Sequence, residues 1–315
     1  MRFGKRLNDW TERHISQAGK EILIKSVAQA LPTYTMGVFR LPLTLCDDFT
    51  QLIRNYWWGA ANGRRKTHWC SWEKMLQPKS NGGLGFRDLR LFNQALLARQ
   101  GWRLMVFPNS LCARLLKAKY YPRGNLLDTV FGGNVSQTWR SIVHGLELLK
   151  KGVISRIGDG QSTNIWRHNW IPREMSLKVV TRSRRPRIRW VSELFLNESR
   201  DWNRNLICSI FLPVDVEAIM RIRVPKRIMN DQIAWHYEKS GQFSVKSAYK
   251  LALKLQSQDQ MASSSNPKQR EKLCKGMPRI SRRTGCKVFK VILHISWCQE
   301  VLIPDGFDPG ITLVT

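Results

Sequence analysis

Adjacent carboxylates are the first residues in this chain whose types and spacing could do chemistry, and the one such pair is Asp47-Asp48. Polymerase chemistry needs two or three carboxylates converging on two divalent ions, so that the attacking and leaving oxygens are both stabilised. Here the pair follows Pro42 and Leu45-Cys46, a pattern that reads as a helix start, and acids in a first helical turn are favoured by the helix dipole. Asp201, Asp215, Glu217 and Asp231, the candidates for ribonuclease H-type metal chemistry, sit in no recognisable motif. Cys274, Cys286, His294 and Cys298 are spaced too loosely for the paired hooks of a structural zinc site. Cys70 beside His68 lacks a third orienting group, and the neighbouring bases explain a polar setting. Gly158-Asp159-Gly160 is followed by no Lys-Ser/Thr and reads as a turn rather than a phosphate loop. The sequence therefore assigns no catalytic residue, no metal ligand and no cofactor.

Nucleic-acid contact is the chemistry that remains. Between Tyr56 and Trp102 lie Trp57-Trp58-Gly59, Arg64-Arg65-Lys66, Trp69, Trp72 and Lys79-Ser80-Asn81-Gly82-Gly83-Leu84-Gly85. Indole rings stack on bases, cationic side chains hold phosphates, and glycines let the backbone turn or approach another group closely. A second basic run holds Arg182, Arg184, Arg185, Arg187 and Arg189 with no acid among them. Further bases at 117, 119 and 221–227 alternate with Tyr120, Tyr121 and Trp190. The candidate contacts are Trp58, Arg64, Arg65, Lys66, Lys79 and the five arginines from Arg182 to Arg189, with Trp57, Trp69 and Trp102 as the candidates for packing. Against this stands a plain structural reading, a buried aromatic cluster followed by a tight turn, since most tryptophans are core.

Charge decides between them for the chain as a whole. With 52 Lys and Arg against 23 Asp and Glu, the formal net charge is +29 and the isoelectric point near 10.5. Self-repulsion of that size is tolerated when a polyanion is the partner, so the expected partner is RNA or DNA, bound largely without sequence readout. No run reaches the ~18 apolar residues of a membrane span, and Met1-Arg2-Phe3-Gly4-Lys5-Arg6 has no signal-peptide core. A nuclear or cytoplasmic protein with no membrane partner is expected. Seven cysteines at irregular spacing fit reduced thiols.

The elements that position these residues can be read from periodicity. Ser16 caps a helix with Leu23, Val27, Ala30 and Leu31 on one face, stopped by Pro32. Thr44 caps a second, repeating Leu45, Phe49, Leu52, Ile53 and Tyr56 and ended by Gly59. Asp88 caps a third whose face is Leu91, Ala95, Ala98, Trp102 and Met105; helices from Ser110 to Tyr121 and from Ser136 to Lys151 follow. Then the pattern turns β-prone. Val153 to Ile157 with Ser162 to Trp166 reads as one hairpin, and Gln232 to Tyr237 with Gln242 to Val245 as another. A helix from Lys246 to about Leu255 precedes a Gln/Ser/Asn-rich linker. The fold expected is mainly α, a helical bundle over residues 1–152, then a small α+β domain and a disordered or non-native C-terminal tail.

Several of these stretches, in order, carry a resemblance. Trp57-Trp58-Gly59, Trp69, Trp72-Glu73, Pro78-Lys79, Gly82-Gly83-Leu84-Gly85, Asn93, Ala95-Leu96-Leu97 and Trp102-Arg103 resemble plant LINE-type (non-LTR) retrotransposon reverse transcriptases, downstream of the catalytic palm. Ser16-Gln17-Ala18-Gly19-Lys20, Gly158-Asp159-Gly160 with Trp166 and Trp170, and Asp231 with Trp235, Gly241 and Phe243-Ser244-Val245-Lys246-Ser247-Ala248-Tyr249 agree, so the likeness covers residues 3–255. It implies thumb-like helices over 1–58, a helical Trp/Gly-rich region over 59–152 and a small α+β domain over 153–255 leading to the family's zinc-binding region. Residues 256–315, a low-complexity linker and divergent tail, match nothing in the family. By this resemblance the chain is a fragment of an RNA-directed DNA polymerase without its catalytic carboxylates, expected to be inactive alone and to grip nucleic acid. The rival from another class is an inert or domesticated basic helical protein with an interaction role.

Overall fold

The computed structural model describes residues 15–264, apart from 62, 63, 66, 130, 131, 133, 134, 175, 183–186, 197–199 and 226, with backbone alone at 60, 61, 64, 65 and 260–264. Readings that fall on the tail, including Cys274, Cys286, His294 and Cys298, lie outside the described residues. The chain divides into two compact units, Met1–Val106 with Gly133–Lys254, and Phe107–Gly132 with Leu255–Thr315.

In the first unit α1 (Gln17–Leu23) starts where Ser16 Oγ accepts the Gly19 N–H at 3.2 Å. It widens into a π turn, Ile24–Ala28, and α2 (Thr33–Met36) begins after Pro32, so the expected single helix is two pieces. Pro32 here is the residue that leads into a helix, because its missing N–H falls where no partner is needed. The next helix, α3 (Leu43–Trp58), starts after Pro42 with no side-chain cap, which corrects Thr44 as its cap. Proline fixes the entry dihedral by itself. Asp47 is then engaged by the Arg90 guanidinium. Strands β1 (Ala60–Ala61) and β2 (Arg64–Arg65) form a short hairpin, and α4 (Trp72–Leu76) is capped by Ser71.

Helix α5 (Leu89–Val106) begins where Asp88 Oδ1 accepts from Arg90 N and Leu91 N, as its spacing predicts. Its burial is wider than the one expected face. Leu89, Asn93, Leu97, Gly101 and Leu104 are buried as well as Ala95, Ala98 and Trp102, whereas Leu91 and Met105 are only half-buried. A helix covered on several sides has no single stripe, and here α2, α3 and α7 all pack on it. Asn93 explains a polar residue in that core. Its amide donates to Met36 O and Phe39 O and accepts from Leu41 N, tying the α2–α3 connection to α5.

The second unit contains α6 (Leu111–Tyr120), capped by Ser110. Back in the first, α7 (Gln137–Gly152) is capped by Ser136 and crosses α5 so closely that a Cβ on Gly145 would stand 2.4 Å from the Ala98 nitrogen.

The β pairing differs from the sequence reading. Strand β3 (Val153–Arg156) pairs antiparallel with β4 (Gln232–Trp235), Val153 opposite Trp235 and Arg156 opposite Gln232. Each expected hairpin thus contributes one strand to a single sheet. Local turn chemistry is present at both places, since Gly241 N donates to Glu238 O and Trp235 N to Gly241 O, but the chain then enters α10 (Val245–Ser264) instead of a return strand. Between the strands lie α8 (Arg204–Ile210) and α9 (Pro213–Met220), which with Ile165, Trp170, Val191 and Leu194 enclose a small core. Contacts run across residue 152: Trp102 stacks on Phe243 at 6.0 Å, and the Tyr249 hydroxyl accepts from Asp88 N at 2.9 Å. The described chain is mainly helical with two small two-stranded sheets, and none of its described helices is long and apolar enough to cross a membrane.

Candidate nucleic-acid interface

Two tryptophans close α3 and two more follow it, and the backbone sorts them. Trp57 meets Phe86 edge-on at 5.5 Å and Trp72 stacks on the same ring at 5.9 Å, so both belong to the core with Ile24, Ile53 and Met75. Trp58 is half-buried. Its indole lies parallel to the His68 imidazole, centroids 5.8 Å apart, and packs against that same core. His68 Nδ1 lies 3.2 Å from Arg54 Nη2; the guanidinium can only donate, so the neutral ring carries its proton on Nε2. Trp69 is the outward one, 85% exposed.

The expectation that Trp58 faces nucleic acid and Trp69 packs is therefore reversed in burial. Residues 67–71 belong to no helix or strand, and the chain bends at Cys70; Cys70 packs on the core while His68 covers Trp58. Trp69, between them, points away. Arg64 and Arg65 lie just upstream in β2, paired with Ala61 and Ala60, and Lys66 lies outside the described residues.

The glycine turn holds itself together rather than a ligand. Gly82 is left-handed at φ 74°, and a Cβ on Gly83 would stand 2.0 Å from Gln77 O. Leu84 N and Phe86 N donate to Met75 O and Gly85 N to Gln77 O, so these N–H groups are already satisfied. Lys79, expected on phosphate, ion-pairs with Glu21 at 2.8 Å, and Lys25 reaches the same oxygen at 2.7 Å. Hydrogen bonds from Lys25 and Lys79 hold the Glu21 carboxyl below its ordinary range.

Among the other candidates, Arg182, Arg187 and Arg189 are exposed, and among the described residues none of the three forms an ion pair; Arg184 and Arg185 lie outside the described residues. Their backbone is pinned at both ends. Val180 N and Thr181 N donate to the buried Asp215 carboxylate, while Trp166 Nε1 donates to Ile188 O at 2.7 Å and Glu193 accepts from Arg189 N and Trp190 N. Trp190 is 41% exposed beside Arg189. Cationic side chains thus project from a fixed base, with one aromatic face next to them.

The acids that could have served metal chemistry have other occupations. Asp215, fully buried, is paired with Arg173 at 2.8 Å and also takes the Thr181 hydroxyl at 2.6 Å. Asp231 accepts five hydrogen bonds, from Gly158 N, Gly160 N, Ser162 N, Ser162 Oγ and Thr163 Oγ1. Burial alone would raise both carboxyls, yet the donors, led by Thr181 and Thr163, outweigh it and hold both below the ordinary value. Glu217 pairs with Arg221. Among the described residues no three His, Cys, Asp or Glu side chains gather as a metal site would require.

No model of a known protein family matches the chain. It is 44% identical over 149 residues to the "Uncharacterized mitochondrial protein AtMg00310" of Arabidopsis thaliana, covering 97% of that protein and 47% of this chain. It is 31% identical over 264 residues to the "Putative ribonuclease H protein At1g65750" of the same plant, spanning 79% of this chain but only 41% of that protein's length.

Proposed function

The chain belongs to the family of the Arabidopsis protein AtMg00310, and from that premise we propose that it is a non-catalytic, nucleic-acid-binding segment of a plant retrotransposon-derived reverse transcriptase. The observation that carries the binding role is Trp69, whose indole stands in solvent just downstream of the Arg64-Arg65-Lys66 triplet on a chain of formal net charge +29. An exposed indole costs solubility unless something covers it, and a base covers an aromatic face whatever its sequence. Arg182, Arg187, Arg189 and Trp190 repeat the combination on a second, firmly anchored loop.

In this reading the segment grips template or primer while chemistry is done elsewhere in a longer polyprotein. The relative named for ribonuclease H is more than twice as long as the stretch it shares with this chain, and Asp215 and Asp231 are saturated by structural donors. The partner is RNA or DNA, and the place of action nucleus or cytoplasm.

Binding of a fluorescent single-stranded oligonucleotide, titrated with salt, tests the proposal. Log affinity should fall linearly with log salt, and Trp69→Ala should weaken binding by about 1–3 kcal/mol. Absence of binding at low salt would refute it. One observation favours the interaction reading as a second: Phe107, Leu111 and Leu115 are 61%, 74% and 64% exposed at four-residue spacing around α6, a face that suits a protein partner.

A further inference from the structure

A groove of about 450 Å³ opens beside the β3–β4 sheet, between it and residues 221–225, 229 and 230. That volume falls in the ~300–1,000 Å³ range of small-ligand sites. Its floor is apolar and fixed. Trp170 and Trp235 are both buried, and each indole N–H is already spent, on Ile165 O at 2.9 Å and on Ser247 Oγ at 2.8 Å. They stand behind the groove, and the apolar surface it presents is that of Pro172, Ile222, Pro225 and Met229.

The rim is cationic. Arg156, Arg221 and Arg223 are exposed and line the opening, and among the described residues no Asp or Glu lines it with them. Arg221 shares its charge with Glu217. Arg156 is held in place by lying across the Gly241 backbone, so close that a Cβ there would stand 2.7 Å from its Nη2, and it reaches Lys239 O at 3.4 Å. Planar guanidinium groups suit phosphate oxygens. Asn230 and Gln232, also on the lining, carry amides that can both donate and accept, which is what the edge of a base presents.

An apolar floor, an amide-bearing wall and a rim on which Arg156 and Arg223 form no ion pair among the described residues fit a flat heterocycle carrying a phosphate. We propose that this groove receives one unpaired nucleotide of a bound strand, its base over the floor and its phosphate on Arg156 and Arg223. The assignment rests on the nucleic-acid reading for the source of that nucleotide, and adds a second point of base contact to Trp69.

The test uses the full chain in a Trp69→Ala background, so that the exposed indole contributes nothing. Affinities are compared for oligodeoxythymidylate and for an abasic sugar-phosphate oligomer of equal length. The base-containing oligomer should bind on the order of ten-fold tighter. Met229→Trp, at a lining residue 44% exposed, fills the groove without changing charge and should bring that ratio to about one while leaving the salt slope intact. Arg223→Gln should weaken both oligomers and make the salt slope shallower by about one unit. An unchanged base preference in Met229→Trp with an unaltered melting temperature would overturn the groove, as would equal displacement of both oligomers by a poly-glutamate peptide. If neither oligomer binds at low salt, the nucleic-acid reading itself fails. Thymidine 5′-monophosphate then tests the groove separately: it should perturb the His236 ring resonances, and no perturbation would overturn the inference as well.

Discussion

Asp231 Oδ1 accepts the backbone N–H of Gly158 at 2.7 Å, from 73 residues further along the chain. The same oxygen takes Gly160 N at 2.9 Å. The Gly-Asp-Gly turn that the sequence offered as the tip of a local hairpin is instead a cradle for a carboxylate, and the pairing of β3 with β4 follows from it. With Asp231 fixed there, the next residue, Gln232, falls opposite Arg156 and the strands register.

Replacing Asp231 with Ala should therefore cost about 3 kcal/mol, since it strands buried N–H groups whose lost partners are worth ~1–3 kcal/mol each. Urea unfolding measures it. The carboxyl sits below its ordinary value, so its stabilisation is present above the unfolded value near ~3.9 and is lost as pH falls through the lower folded value. The stability gap between the wild type and Asp231→Asn should accordingly close as the pH drops below about 4.

Trp72→Ala and Trp102→Ala should each cost about 3–5 kcal/mol, because both indoles are packed against aromatic partners. Trp69→Ala should change stability by less than about 0.5 kcal/mol. Thermal melts of the three variants give the order directly, and a large loss at Trp69 would mean that its ring is covered.

The two glycines of the tight turn should differ. Gly82→Ala meets open space and costs only the left-handed backbone, about 1–2 kcal/mol. Gly83→Ala must move Gln77 O, which ends α4, and should cost more than Gly82→Ala in the same denaturation experiment. Equal losses would show that the turn can shift as a unit.

Changing Arg64, Arg65 and Lys66 together to Gln should make the salt slope of single-strand binding shallower by about two to three units, as should changing Arg182, Arg187 and Arg189 together. Lys79→Gln, whose charge is already shared with Glu21, should change it by less than about one. A slope unmoved by either triple change would remove that loop from the interface.

Local chemistry was legible in the sequence. Ser16, Ser71, Asp88, Ser110 and Ser136 each cap a helix, and all but Ser71 could be placed from the residue type and the apolar period behind it. Gly59 and the 82–85 turn likewise follow from what a single residue can adopt. Net charge, a sum over the chain, needs no fold at all. What the tertiary structure alone decided is everything set by partners distant in sequence: which β-prone segments pair, which sides of α5 are covered, and which acids are occupied. Asp231 finds its donors some 70 residues away, Asn93 closes a loop more than 50 residues before it, and Trp69 is exposed while His68 and Cys70 turn inward on either side. No property of an indole says whether it will be core or contact; the residues that reach its two faces do.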